Sequence, residues 1–224
     1  MNISNMKVAF FTYFPLEYGG GVAKYFLEVT SELKKRYPDL DLTIITFDEK
    51  TLKIILLVYS VYFFGRQDMN LFQREEIKSK LGKVDYKKVK FGDLKNDLQK
   101  YNFIYSSNNL LEVVILKYLI GYRNLPSLIY GFHIPTNYTL TKSLQSKLHN
   151  ILYSSFIYQI ALKGAFKIHV LNNFDEELYR KYFQSKIVVK IYNPFDFKKF
   201  IQKANKFKFK YNWNKNKFNI LWVG

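Results

Sequence analysis

Apolar runs and helical stripes alternate along most of this chain. Lys7–Phe14 is almost wholly apolar and rich in β-formers, the pattern of a central strand buried on both faces. Gly19-Gly20-Gly21 follows. From about Val22 to Arg36, Val22, Phe26, Val29 and Leu33 recur at helical spacing. Lys34, Lys35 and Arg36 suit the last turn of that helix, and Pro38 ends it. Further strands are predicted at Leu42–Phe47, Tyr86–Phe91, Phe103–Ser106, Ser127–Phe132, Lys167–Leu171, Ile187–Ile191 and Phe218–Val223. Between them the spacing predicts helices over Thr51–Phe64, Leu94–Lys100, from after Asn109 to about Tyr122, Leu140–Lys163 and Asp175–Phe183. Asp93 and Asn172 or Asn173 are candidate caps, and Asn109 with Glu112 has capping-box spacing. Gln67–Lys83 is polar and begins as a loop.

Strands alternating with helices predict a three-layer, Rossmann-like α/β fold with a mostly parallel sheet. Ligands of such folds bind beyond the carboxyl ends of the strands. The segments after Phe14, Phe47, Ser106, Phe132 and Leu171 are therefore the places to look for chemistry.

Charge changes this picture more than length does. The 224 residues carry 35 Lys+Arg against 18 Asp+Glu, a formal net charge of +17. Such an excess favours anionic partners: phosphorylated ligands, anionic lipid or nucleic acid. No nucleic-acid reading motif accompanies it, so that partner is disfavoured. Cysteine is absent, which excludes disulfides and thiolate metal sites. The apolar run Ile54–Phe64, interrupted by Ser60, is shorter than the roughly 20 residues a bilayer span needs. Thr51–Phe64 reads as a buried core helix, with a membrane-surface helix flanked by Lys53 and Arg66 as the alternative. The expectation is a cytoplasmic protein that touches a membrane, if at all, from its surface.

The glycine turn is the first candidate site. Strand, glycines and helix place free backbone N–H groups where an anion or a sugar can approach. A dinucleotide fingerprint would need glycine where Lys24 stands, and no G-K-[ST] follows to make a phosphate-binding P-loop. His133 closes a predicted strand beside Pro135, where it can hydrogen-bond a ligand or transfer a proton. His169 reads as a core or sheet-face residue and His149 as a solvated helical one. Three scattered histidines make a poor metal case. Lys198–Lys217 holds eight lysines and no acid, interleaved with aromatics. It reads as a solvated basic linker, or as a patch for anionic lipid or nucleic acid. No nucleophile elbow or paired carboxylates are visible.

Several of these stretches line up in order. They are Tyr18-Gly19-Gly20-Gly21-Val22, Tyr105-Ser106-Ser107-Asn108-Asn109 and Tyr130-Gly131-Phe132-His133-Ile134-Pro135. His169-Val170-Leu171-Asn172-Asn173, Tyr192-Asn193-Pro194-Phe195-Asp196 and Ile220-Leu221-Trp222-Val223-Gly224 follow. Together they resemble the N-terminal domain of glycosyltransferase family 4, nucleotide-sugar enzymes of the GT-B fold. The resemblance implies an acceptor-side domain over residues 1–197, a basic linker over 198–217, and in 218–224 the first strand of a C-terminal donor-binding domain. It implies that Gly19, Gly20 and Gly21 face the donor, that His133 is the active-site histidine near the transferred sugar, and that Asn108 and Asn172 face the same cleft. It further implies a retaining hexosyltransferase-like enzyme without metal or other cofactor, a nucleotide-sugar donor, and a glycan or lipid-linked acceptor. Two departures stand out. Pro194 replaces the family's usual glycine, and the residues of the C-terminal domain do not follow Gly224. The expectation is that this chain alone catalyses little and requires that domain, or a partner half, for transfer; the alternative is a non-catalytic binding module that docks on anionic lipid or glycolipid surfaces.

Overall fold

The structure, a computed structural model, describes residues 5–18, 21–60, 84–107, 110–133, 144–183, 187–192 and 201–202. The chain divides into two compact units, Met1–Tyr192 and Asn193–Gly224. All elements named below belong to the first. The predicted strand Phe218–Val223 lies outside the described residues, as do Gln67–Lys83 and, save for residues 201–202, the lysine-rich stretch Lys198–Lys217.

Seven strands form one all-parallel sheet: β1 (Lys7–Phe11), β2 (Asp41–Phe47), β3 (Asp85–Val89), β4 (Phe103–Ser107), β5 (Ser127–Gly131), β6 (Lys167–Val170) and β7 (Val188–Lys190). Their order is β3-β2-β1-β4-β5-β6-β7. The chain thus winds outward from β1 to β3, returns, and winds the other way from β4 to β7. α1 packs on one face of this sheet, and the helices that follow β3 pack on the other. The core follows that division. α1 (Gly21–Arg36) buries Ala23, Phe26 and Leu27 against Phe10, Leu42 and Ile44 on one face. The other face joins Phe11, Ile45, Ile104, Leu128 and Ile168 to residues of the later helices. Those are α3 (Leu94–Leu98), α4 (Leu110–Val114), α5 (Leu144–Ser154), α6 (Phe156–Leu162) and α7 (Asn173–Tyr182). The fold is the three-layer, Rossmann-like α/β arrangement.

Local details depart from the spacing-based reading in instructive ways. The buried stripe of α1 is centred on Ala23, Phe26, Leu27 and Thr30, with Val22, Val29 and Leu33 flanking it half-buried. Thr30 is tolerated inside because its hydroxyl donates to the Phe26 carbonyl at 2.6 Å. β1 stops at Phe11, before the expected Phe14, because the Tyr13 N–H turns away to the Glu112 carboxylate. α2 (Glu49–Ser60) starts early because Asp48 caps it, accepting from the Thr51 N–H at 2.7 Å. Asp93 makes no capping bond; it belongs to a 3₁₀ turn, Phe91–Asp93, that runs straight into α3. α4 continues as a π-helix over Ile115–Ile120, with the Gly121 N–H reaching back five residues to the Leu116 carbonyl.

Of the predicted long helix Leu140–Lys163, the described residues, from Leu144 on, form two helices. Ser155 leaves helical geometry (φ −67°, ψ 146°) and its hydroxyl oxygen accepts from the Tyr158 N–H, capping α6. A Ser-Ser pair inside an apolar periodic run offers the backbone that alternative. Asn172 caps α7 in the same way.

Candidate functional site

The winding reverses between β1 and β4, and the crevice at their carboxyl ends is where open α/β sheets place ligands. Two polar clusters occupy this end, one on each face of the sheet, the first partly buried and the second fully so. Consecutive residues of β4 serve them, because side chains of a strand alternate between faces.

On the α1 face, Tyr105 lies over β5 and reaches β6. Its hydroxyl is 2.6 Å from His169 Nδ1 and 3.2 Å from His133 Nε2, and the Tyr25 hydroxyl is 3.4 Å away. Gly131 makes this crossing possible, since a Cβ there would fall on the Tyr105 hydroxyl and ring. Tyr25, on α1, packs against the His133 ring with centroids 4.1 Å apart and the ring planes tilted by 50°.

The hydrogen positions follow from one fixed point. His169 Nε2 faces the Ile191 carbonyl at 2.7 Å, and a carbonyl only accepts, so Nε2 carries the proton. Burial holds the His169 pKa below its usual value, so the ring is neutral and Nδ1 is an acceptor. The Tyr105 hydroxyl therefore donates to His169 Nδ1. Its oxygen in turn accepts from His133 Nε2–H. Burial first, and the neighbouring His169 second, bring His133 down to about 4. His133 is thus neutral at pH 7, with its proton on Nε2. Nδ1, the acceptor nitrogen of this tautomer, has no partner among the described residues. A pKa so low makes His133 a better hydrogen-bond acceptor than a general base.

On the opposite face, Glu112 is fully buried at the start of α4. One carboxylate oxygen accepts from the Tyr13 N–H at 3.1 Å, and the other from the Ser106 and Ser107 hydroxyls, both at 2.7 Å. The Thr12 hydroxyl adds to these. Burial pushes the Glu112 carboxyl up to about 7 against these stabilising bonds. Every donor comes from the ends of β1 and β4, so this carboxylate ties the crevice together from below. The capping-box expectation for Glu112 is corrected accordingly: its carboxylate turns inward.

The sequence-predicted residues fall around this geometry unevenly. His133 stands in the ring cluster. Gly21 is the first residue of α1, one turn before Tyr25, so the helix start and His133 share one end of the sheet. A Cβ at Gly21 would meet nothing within 4 Å, so packing does not explain the glycine. Gly19, Gly20, Asn108 and Asn109 lie outside the described residues. Asn172 is engaged in its own turn: Oδ1 accepts from the Asp175 N–H and Nδ2 donates to the Asp175 carboxylate. His169 is buried on the sheet face as expected, and it also orients Tyr105. His149 lies on α5. Sequence reasoning missed Tyr25 and Tyr105 as partners of His133, because residues far apart in sequence meet only through the sheet order. It missed the role of Glu112 as well, although a lone acid in an apolar helix just after Ser106-Ser107 is a signal of a buried carboxylate.

A second depression, at the β3 edge, is lined by Lys87, Lys88, Lys90 and Lys100 with Asp48, Asp93 and Asp97. Lys87 and Lys100 are paired with Asp97, and Lys88 with Glu17. It offers an anion little that is not already engaged.

No group of three or more potential metal-binding side chains occurs among the described residues. No helix among them is long and apolar enough to cross a membrane. No protein-family model matches the chain, and no curated protein matches it.

Proposed function

We propose that this chain is the acceptor-side domain of a glycosyltransferase that moves a sugar from a nucleotide-sugar donor to a glycan or lipid-linked acceptor. The observation that carries the reading is His133: a neutral imidazole at the carboxyl end of β5, beside the crevice, with Nε2–H fixed by Tyr105 and Nδ1 without a partner among the described residues. Such a group suits a sugar hydroxyl, which donates one hydrogen bond and carries no charge. The start of α1 supplies backbone N–H groups at the same end of the sheet, as a donor phosphate would require. The resemblance of the ordered motifs to glycosyltransferase family 4 supports the same assignment. In this reading His133 contacts the transferred sugar, Gly19, Gly20 and Gly21 approach the donor, and a C-terminal domain supplies the rest of the donor site.

Two measurements test it. Nucleotide sugars are titrated into the isotopically labelled chain while the His133 ring signals are followed. Transfer is then measured on the chain joined to a C-terminal donor-binding domain. Perturbation of His133 by a nucleotide sugar, and transfer lost in His133→Ala, are expected. No His133 response to any nucleotide sugar, together with no transfer by the two-domain protein, overturns the proposal.

A further inference from the structure

The outward positions of α5 and α6 are where a water-facing helix places charge. Here they carry large apolar side chains. Ile151 is 65% exposed, and Phe156 and Ile157 are each 72% exposed, on either side of the break at Ser155. The inward positions Tyr153, Tyr158, Ala161 and Leu162 are buried, so both helices are docked normally and the apolar residues are surplus to the core. Exposed lysines bracket them: Lys147 one turn before Ile151, and Lys163 just after α6. The π-helix reaches the same end of α6, with Lys117 Nζ donating to the Lys163 carbonyl at 3.1 Å, and it exposes Tyr118 and Leu119.

The surrounding sequence carries one sign of charge only. Between Glu112 and Asp175 there is no acidic residue, while Lys117, Arg123, Lys142, Lys147, Lys163 and Lys167 all fall within this stretch. The three helical segments with these exposed apolar residues therefore have no acid of their own to balance the lysines.

We propose that this face docks on an anionic lipid bilayer. Ile151, Phe156 and Ile157 enter the headgroup boundary, and Lys147 and Lys163 meet the lipid phosphates. The charge pattern selects this occupant. A second copy of the chain would bring the same lysines against themselves, in a molecule already at +17. A protein partner that recognises an apolar helix offers a groove, whereas side chains this exposed, at a break between two helices, form a ridge. A ridge of apolar side chains between cations matches an interface with anionic headgroups above hydrocarbon.

The test is co-sedimentation of the full chain with vesicles of phosphatidylcholine alone and of phosphatidylcholine mixed with phosphatidylglycerol. Binding is expected to the mixed vesicles only, and to weaken with salt. Phe156→Ser combined with Ile157→Ser is expected to lower partitioning at least about tenfold. Lys147→Glu and Lys163→Glu are each expected to lower it about fivefold. Tyr182→Ser, at an exposed aromatic on α7, leaves it unchanged. The chain has no cysteine, so Ile157→Cys accepts a single environment-sensitive label whose blue shift on mixed vesicles reports insertion even if the double variant folds poorly. A label at residue 157 that stays in water while the chain is vesicle-bound overturns the proposal and assigns lipid contact to another surface. Absence of binding to the mixed vesicles, or Ile157-dependent self-association in solution, overturns it too. None of these outcomes bears on nucleotide-sugar binding, which is read separately at His133.

Discussion

Tyr105 and Ser106 are adjacent in β4, yet they serve two polar clusters that are built on opposite principles. The Ser106 side surrounds one carboxylate with donors from its own crevice walls, so Glu112 is satisfied entirely within the protein. The Tyr105 side links neutral rings in series, and the series ends at an imidazole nitrogen with no partner among the described residues. A closed cluster holds the fold; one that ends in an open acceptor has something left to offer a ligand. Burial shifts both, in opposite senses: it raises the acid and lowers the bases.

The largest expected effect is on the closed cluster. Glu112→Ala leaves two serine hydroxyls and a backbone N–H without their acceptor, at a cost of about 3 kcal/mol or more in urea unfolding. Glu112→Gln keeps an acceptor in place and costs less at acid pH. If the Ala variant unfolds within about 0.5 kcal/mol of the parent, Glu112 does not hold β1 to β4.

Titration separates the two clusters next. The folded pKa of Glu112, about 7, lies above its ordinary 4.5. Its contribution is full below 4.5 and is lost as pH rises through about 7, by on the order of 3 kcal/mol. The folded pKa of His133, about 4, lies below its ordinary 6.5. Its contribution is full above 6.5 and is lost as pH falls toward about 4, by a comparable amount. The two slopes oppose each other between 4.5 and 6.5. Across that window the pH slope of the unfolding free energy should therefore be more positive than the parent's in Glu112→Gln and more negative than the parent's in His133→Gln. Parallel slopes in the two variants would show that the clusters do not titrate as their surroundings dictate.

Gly131→Ala strikes the open cluster through the backbone. The new methyl occupies the space of the Tyr105 ring, which is rigid and cannot swing aside without leaving His169. Overpacking of this kind costs about 1–3 kcal/mol. It should also make the His169 ring signals resemble those of Tyr105→Phe. Retention of the parent His169 signals would mean that the ring finds another path over β5.

How much of this could be read from the chain depends on distance along it. Strand and helix positions were legible because β1 through β7 and the main helices are written in local periodicity. Caps at Asn172 and the break at Ser155 are local too, but Ser155 sits in an apolar run whose period hides it. His133 was legible from its place at a strand end. Its partners were not: Tyr25, Tyr105 and His169 belong to three other elements, and only the order β1-β4-β5-β6 brings them together. Glu112 was misread because capping-box spacing and a buried carboxylate look alike until the strand ends beside it are known.

Tyr105→Phe has the smallest effect on stability and tests the open cluster most directly. It removes one hydroxyl and no ring, so packing against Phe10 and Phe26 survives. The loss should be about 1 kcal/mol. The informative readout is the His133 tautomer, measured by nitrogen-detected NMR at pH 7. In the parent, Nε2–H donates to Tyr105 and one tautomer is expected. In Tyr105→Phe that acceptor is gone, the preference for Nε2–H disappears, and a mixture is expected. His169 should keep its Nε2–H, because the Ile191 carbonyl is untouched. An unchanged His133 tautomer in the variant would shift the ordering role from Tyr105 to the ring contact with Tyr25, and Tyr25→Leu would then be the substitution that frees Nδ1 from its fixed orientation.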